Sequence, residues 1–205
     1  MAKKKKLPII QMDITDDLQN PQGMKAVALV DEPAIEEYWM KFEKHEEEFL
    51  FEQQKDKQII TGALMVADMP IYRKDADGTE YYVTFSKDVI TKIVKKFSKL
   101  NYFNRVNLMH DSQSVPEGIY LIELFQSDKT RGVNAPKAFS SLADGSLFAS
   151  YYVENPELWQ FIQTDQFRGF SIEGIFGYVF SAQKSETDEL MSCISECLKE
   201  LDKLN

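Results

Sequence analysis

"FRGFSIEGIFGYVF", residues 167–180, decides how the chain is read. Taken as one strand from Gly169, its side chains alternate between faces. Phe170, Ile172, Phe176, Tyr178 and Phe180 then point into a core, and Gly169, Ser171, Glu173, Ile175 and Gly177 point to the open side. This sets a serine beside a glutamate, among residues with little side chain. At such a place a substrate can approach closely, and backbone N–H groups can receive an oxyanion. A serine hydroxyl is a poor nucleophile at neutral pH unless a base takes its proton. The chain has two histidines, His45 and His110; His45 lies in an acidic segment, which leaves His110 as the base. The chemistry this pair points to is acyl transfer, with a third polar group orienting the imidazole. The plainer reading of the same residues is a small residue at a crowded place and a satisfied core histidine.

Working outward, the pattern is mostly strands with a few helices. "MKAVALVDEPA" is a short apolar strand stopped at Pro33, "KQIITGALMVAD" is a buried strand, and "IYRKDADGTEYYVTF" is a hairpin turning at Asp77-Gly78. Ser86 caps a helix on which Val89, Ile90, Ile93, Val94 and Phe97 recur at helical spacing. In "RVNLMHD", strand alternation puts Val106, Leu108 and His110 on one face. "GIYLIELFQSD" and "SLFASYYV" are further strands, the second following an Asp144-Gly145 turn. Asn155-Pro156 starts a short helix, with asparagine as cap and proline in the first helical position. These elements predict an α+β fold built on a strongly bent sheet or barrel.

The flanks differ in composition. Residues 1–23 are polar, broken by "NPQG", and read as a flexible lead-in to a domain spanning 24–180. From Ile35 to about Gln54 the pattern is helical, and between Asp31 and Lys57 it carries ten acidic against four basic side chains. "SAQKSETDE", 181–189, is a polar linker. Over 190–205, Leu190, Ile194, Cys197, Leu201 and Leu204 alternate at spacings of four and three, as in a short amphipathic helix that docks on its own domain, a second copy or a partner.

Composition narrows the function. The 205 residues and 43% hydrophobic content suffice for one ordinary domain. A net charge of -9 argues against a broad nucleic-acid surface, since phosphate binding needs clustered Lys and Arg. "AKKKK" at residues 2–6 is the only basic run and reads as a solvated tail. No apolar run approaches the ~18 residues of a membrane span, and no signal-peptide core follows the lysines, so a soluble intracellular protein is expected. Cys193 and Cys197, four apart, have helix-face spacing rather than that of a disulfide framework. Two isolated histidines and dispersed acids lack metal-ligand spacing, and no "GxxxxGK" phosphate loop is present, so neither a metal nor another cofactor is expected.

Three pieces in order, "AVALVDEPA", "VNLMHD" and "VENPELWQFIQTDQFRGFSIEG", give residues 24 to 180 a resemblance to the XkdF-type phage serine proteases. These are relatives of the phage prohead proteases and, more distantly, of the herpesvirus assemblins. In that family a helix with Trp followed by Gly-Phe-Ser-Ile-x-Gly carries the nucleophile, and a His-Asp pair some tens of residues earlier carries the base. Ser171 and His110, 61 residues apart, match those motifs. The resemblance implies a bent antiparallel β-barrel surrounded by helices, of herpesvirus-protease type, with the tail helix as a docking or homodimer element. It also implies an endopeptidase that cuts scaffold and major capsid protein precursors, and itself, inside an assembling procapsid in the host cytoplasm. The chain departs from the herpesvirus pattern in having no second histidine to orient His110 and no arginine after Arg168. Glu173, Glu123, Asp111 and the downstream acids Glu186, Asp188 and Glu189 are all open as the third member. Two rivals stand beside this expectation: a virion structural component that keeps the fold without turnover, and an esterase or peptidase of small substrates.

Overall fold

The computed structural model describes residues 7–31, 50, 52–75 and 77–179. The elements in order are β1 (Ile9–Asp13), β2 (Gly23–Val30), β3 (Glu52–Gln54), β4 (Ile59–Met65), β5 (Ile71–Lys74), β6 (Glu80–Thr84), α1 (Lys87–Lys99), β7 (Val106–Leu108), β8 (Ile119–Gln126), β9 (Leu147–Val153), α2 (Pro156–Gln163), β10 (Gly169–Ile175) and β11 (Gly177–Val179). The fold is mixed α+β, mainly sheet. Among the described residues the strands form three sheets, in the orders β11-β1-β6-β5, β10-β2-β7 and β3-β4-β9-β8. They close into no barrel, and two pairings, β1 with β6 and β2 with β7, are parallel where an all-antiparallel arrangement was expected.

Local chemistry explains most elements. The Ser86 side chain accepts from the Val89 N–H at the start of α1, and Asn155 Oδ1 accepts from the N–H groups of Glu157 and Leu158 at the start of α2, with Pro156 at the first helical position. The apolar stripe of α1, with Ile90 and Ile93 fully buried, packs against β2, whose Val27 and Leu29 are equally buried. Gly78, at φ 88°, turns the β5–β6 hairpin as "DG" predicts.

Residues 9–13 depart from the expected flexible lead-in. They form β1, which is held between β11 and β6 and carries the buried Met12. Lys96 helps hold the segment after it. Although 3% exposed, its ammonium donates to the carbonyls of Thr15, Asp17 and Asn20 at 3.1, 2.7 and 3.0 Å, using all three N–H bonds of the group. The expected helix from Ile35 ends differently too, because Glu52–Gln54 is strand β3. Apart from Leu50, which is not helical, the rest of that expected helix with His45, the linker at 181–189 and the tail helix at 190–205 lie outside the described residues.

The 127–146 connection is tied to α1 by Lys87, whose Nζ donates to Asp144 at 2.8 Å and lies 3.4 Å from Asp128. The hydrogen bond from Lys87 holds the Asp144 carboxyl below its ordinary pKa, and a Thr130 hydrogen bond followed by Lys87 does the same for Asp128. A folded-state pKa below the unfolded one contributes stability that is present above the unfolded value and lost as pH falls through the folded one. Asp144→Asn is therefore expected to lower the urea midpoint at pH 7, and the difference from wild type should vanish at a pH well under 4, the ordinary aspartate value.

Candidate functional site

The site is built on the three-stranded sheet. Ser171 on β10 pairs with Ala28 on β2, which pairs with Asn107 on β7. This row is buried, at 7%, 0% and 4% exposure, but none of the three belongs to the main hydrophobic cluster. The neighbouring positions Phe170, Leu29, Ile172, Val27 and Val106 form or pack on that core from the other face. The alternation expected for residues 169–173 thus holds, with Ser171 and Glu173 sharing the face opposite the core. Ala26 and Ala28 lie across from them in the register and leave a floor of small side chains.

The expected single strand to Phe180 is interrupted by a bulge after Glu173 and ends at Ile175. The register shifts between Glu173 and Gly174, and after Ile175 the chain passes into β11 in a different sheet. Tyr178, expected in the core, is 51% exposed, and Phe180 lies outside the described residues. Packing is close at the bulge: a Cβ on Gly174 would sit 2.6 Å from the Gly23 carbonyl oxygen and 2.7 Å from Phe176 Cζ. Gly174→Ala is expected to cost about 1–3 kcal/mol in chemical denaturation, because a backbone atom rather than a flexible side chain must give way.

His110 also reaches the site by a route that strand alternation misses. β7 ends at Leu108, and Met109 and His110 have φ 52° and 61°, with the Asp111 N–H donating to the Leu108 carbonyl at 2.9 Å. Positive φ at both central residues is the signature of a type I′ turn, here made without glycine or asparagine. Left-handed non-glycine residues cost free energy and concentrate at functional sites. In a continuing strand His110 would follow Val106 and Leu108 to the core. The turn instead brings its Nδ1 to 3.1 Å from Glu173 Oε1.

Glu173 is thereby singled out among the acids left open. Its Oε1 accepts from Asn107 Nδ2 at 2.7 Å as well as facing His110. Glu123 accepts instead from the Ser150 hydroxyl, and Asp111 Oδ1 accepts from the Gln113 N–H. Glu186, Asp188 and Glu189 lie outside the described residues. A carboxylate only accepts, so this contact places a proton on His110 Nδ1 and leaves Nε2 of the neutral ring as the acceptor. The imidazole and carboxylate side chains are 44% and 28% exposed and open to solvent. Ser171 and Glu173, two apart on a strand, lie about 7 Å from one another. Among the described residues Ser171 and His110 share no hydrogen bond, and Glu173 contacts His110 rather than the serine.

A cleft of about 310 Å³ adjoins the serine. Phe170, Ser171, Ile172 and Gly174 line it along β10, with Leu64, Met65, Val66, Ile71, Val83 and Phe85 forming an apolar surround and Arg73, Tyr81 and Tyr178 supplying polar groups. β10 is the outer strand of its sheet, so alternate backbone N–H groups point away from β2. Arg73 donates to the Tyr72 carbonyl at 2.9 Å, and burial pulls its guanidinium pKa down from the ordinary value. The Tyr81 hydroxyl, hydrogen-bonded with Tyr178 and donating to Asp75 at 2.8 Å, has its pKa pushed up by both contacts. Among the described residues no group of three or more His, Cys, Asp or Glu could hold a metal ion, and no helix is long and apolar enough to cross a membrane.

Sequence reasoning missed Asn107 altogether. Its alternation with Val106 and Leu108 places it on the Ser171 face, but only the strand register shows what it meets. No known family, curated protein or solved structure matches the chain.

Proposed function

We propose that the protein is a serine endopeptidase with Ser171 as nucleophile, His110 as general base and Glu173 as the group that orients the base. The observation that carries the reading is the His110–Glu173 contact on the same sheet face as Ser171. Ser171 Oγ attacks the scissile carbonyl and passes its proton to His110 Nε2, and Glu173 stabilises the resulting imidazolium through Nδ1–H. The imidazolium then protonates the leaving amine, and water, activated by the same base, releases the acyl group. Backbone N–H groups on the outer side of β10 are the available oxyanion donors, and the adjoining cleft is an apolar receptacle for a substrate side chain. The resemblance of its motifs to the XkdF-type phage proteases supports, within this proposal, scaffold and major capsid protein precursors as the substrates, cut inside an assembling procapsid. A herpesvirus-protease-like arrangement of the domain belongs to the same proposal.

One observation favours a second reading, a virion structural component that retains the scaffold without turnover: Ser171 is 7% exposed and makes no hydrogen bond to His110. Catalytic hydrogen bonds are often long in ligand-free proteins and tighten on substrate binding. A serine-directed fluorophosphonate separates the two. The expected result is one phosphonyl adduct per chain, on Ser171, and a labelling rate strongly reduced in His110→Ala. A folded protein that takes up no label would establish the structural reading.

A further inference from the structure

We propose that Asn107 is a positioning residue of this site, holding Glu173 so that one carboxylate oxygen serves His110. Its role in turnover rests on the peptidase reading; its effect on the imidazole does not. Asn107 is 4% exposed in the middle strand position of β7, and its Nδ2 donates to the same Oε1 that His110 Nδ1 approaches. Two donors on one oxygen fix the carboxylate's rotation, since each lone-pair direction is taken. An exposed glutamate without such a clamp samples several rotamers and orients its histidine poorly.

The other end of the same amide tells what the residue is for. Asn107 Oδ1 is buried and, among the described residues, is the one buried side-chain polar atom without a hydrogen-bond partner. Turning the amide over would not satisfy it, because Oδ1 would then face the carboxylate oxygen of Glu173. An apolar side chain of the same shape would avoid the orphaned oxygen entirely. A residue retained for stability alone has no reason to bear that cost, whereas one retained for its N–H on Glu173 does. Asn107 also lies in one row with Ser171 across Ala28, so the clamp is continuous with the surface that carries the nucleophile.

The test compares wild type with Asn107→Leu, the apolar isostere, and Asn107→Ala, in a His45→Gln background that leaves one histidine signal. Three quantities are read: the His110 ring tautomer from 15N NMR, the midpoint of thermal unfolding, and the rate of fluorophosphonate labelling. The expected result is a melting temperature in Asn107→Leu at or above that of wild type. The His110 ring should move from Nδ1–H toward a mixture of tautomers in both variants, and labelling of Ser171 should slow at least about tenfold. An unchanged tautomer in either folded variant overturns the proposal, as does failure of both variants to fold, which would make Asn107 a structural residue. Absence of labelling in wild type would instead remove the peptidase reading, and the tautomer comparison would still decide the role of Asn107.

Discussion

On the proposed peptidase reading, Ser171→Ala is expected to leave a folded protein that no longer cuts. The hydroxyl makes no hydrogen bond to another described residue, and the serine sits against Ala28 in a small-residue row, so its removal should change stability by less than about 1 kcal/mol. Activity should fall at least ~10³-fold, because the remaining groups can position a substrate but cannot form the acyl intermediate. The measurement is co-expression with the cognate capsid or scaffold protein followed by intact-mass spectrometry, with His110→Ala alongside. Defined products in wild type that vanish in both variants are the expected outcome. Equal processing by Ser171→Ala would remove Ser171 from the chemistry.

Glu173→Gln is expected to have the next largest effect. The carboxylate is acceptor for both Asn107 Nδ2 and His110 Nδ1, and the amide that replaces it carries an acceptor and a donor at opposite ends. If the new carbonyl keeps the Asn107 contact, the shape is preserved but the negative charge that stabilises the imidazolium is gone. If the new NH₂ turns to His110, Nδ1 must become the acceptor and Nε2 carries the proton, which disables the base. Either way turnover should fall by roughly 10²–10⁴-fold, with the fold retained. Processing of the capsid or scaffold substrate by Glu173→Gln at a rate within about threefold of wild type would show that the dyad needs no third member. Glu123→Gln is the control, since that side chain serves Ser150 on β9 and does not contact His110.

These expectations depend on contacts of very different origin. The capped starts of α1 and α2, the Asp77-Gly78 hairpin, and strands β4, β8 and β9 follow from residues within a few positions of one another. Periodicity and capping are local properties, and they are carried by any window of the sequence. The placement of Ser171 and Glu173 on one face, opposite Phe170 and Ile172, was legible for the same reason, since alternation needs only that the segment be a strand.

What the chain does at longer range was not legible. Neither central residue of the "LMHD" turn is glycine or asparagine, yet Met109 and His110 adopt positive φ where the ladder to β2 ends, with the Met109 N–H bonded to the Leu29 carbonyl. The register shift of β10 at Gly174 lies against the Gly23 carbonyl, some 150 residues earlier in the chain, and β1 is a strand because β6 and β11 receive it. Glu173 could be chosen over Glu123 and Asp111 only when the register of β10, β2 and β7 had brought it to His110 and Asn107. By itself the sequence determined the identity of most elements and the face on which Ser171 stands, because those follow from short-range backbone geometry. The tertiary structure alone decided which acid meets the histidine and what holds that acid, because pairing between distant strands depends on the free energy of the whole packed sheet rather than on any local pattern.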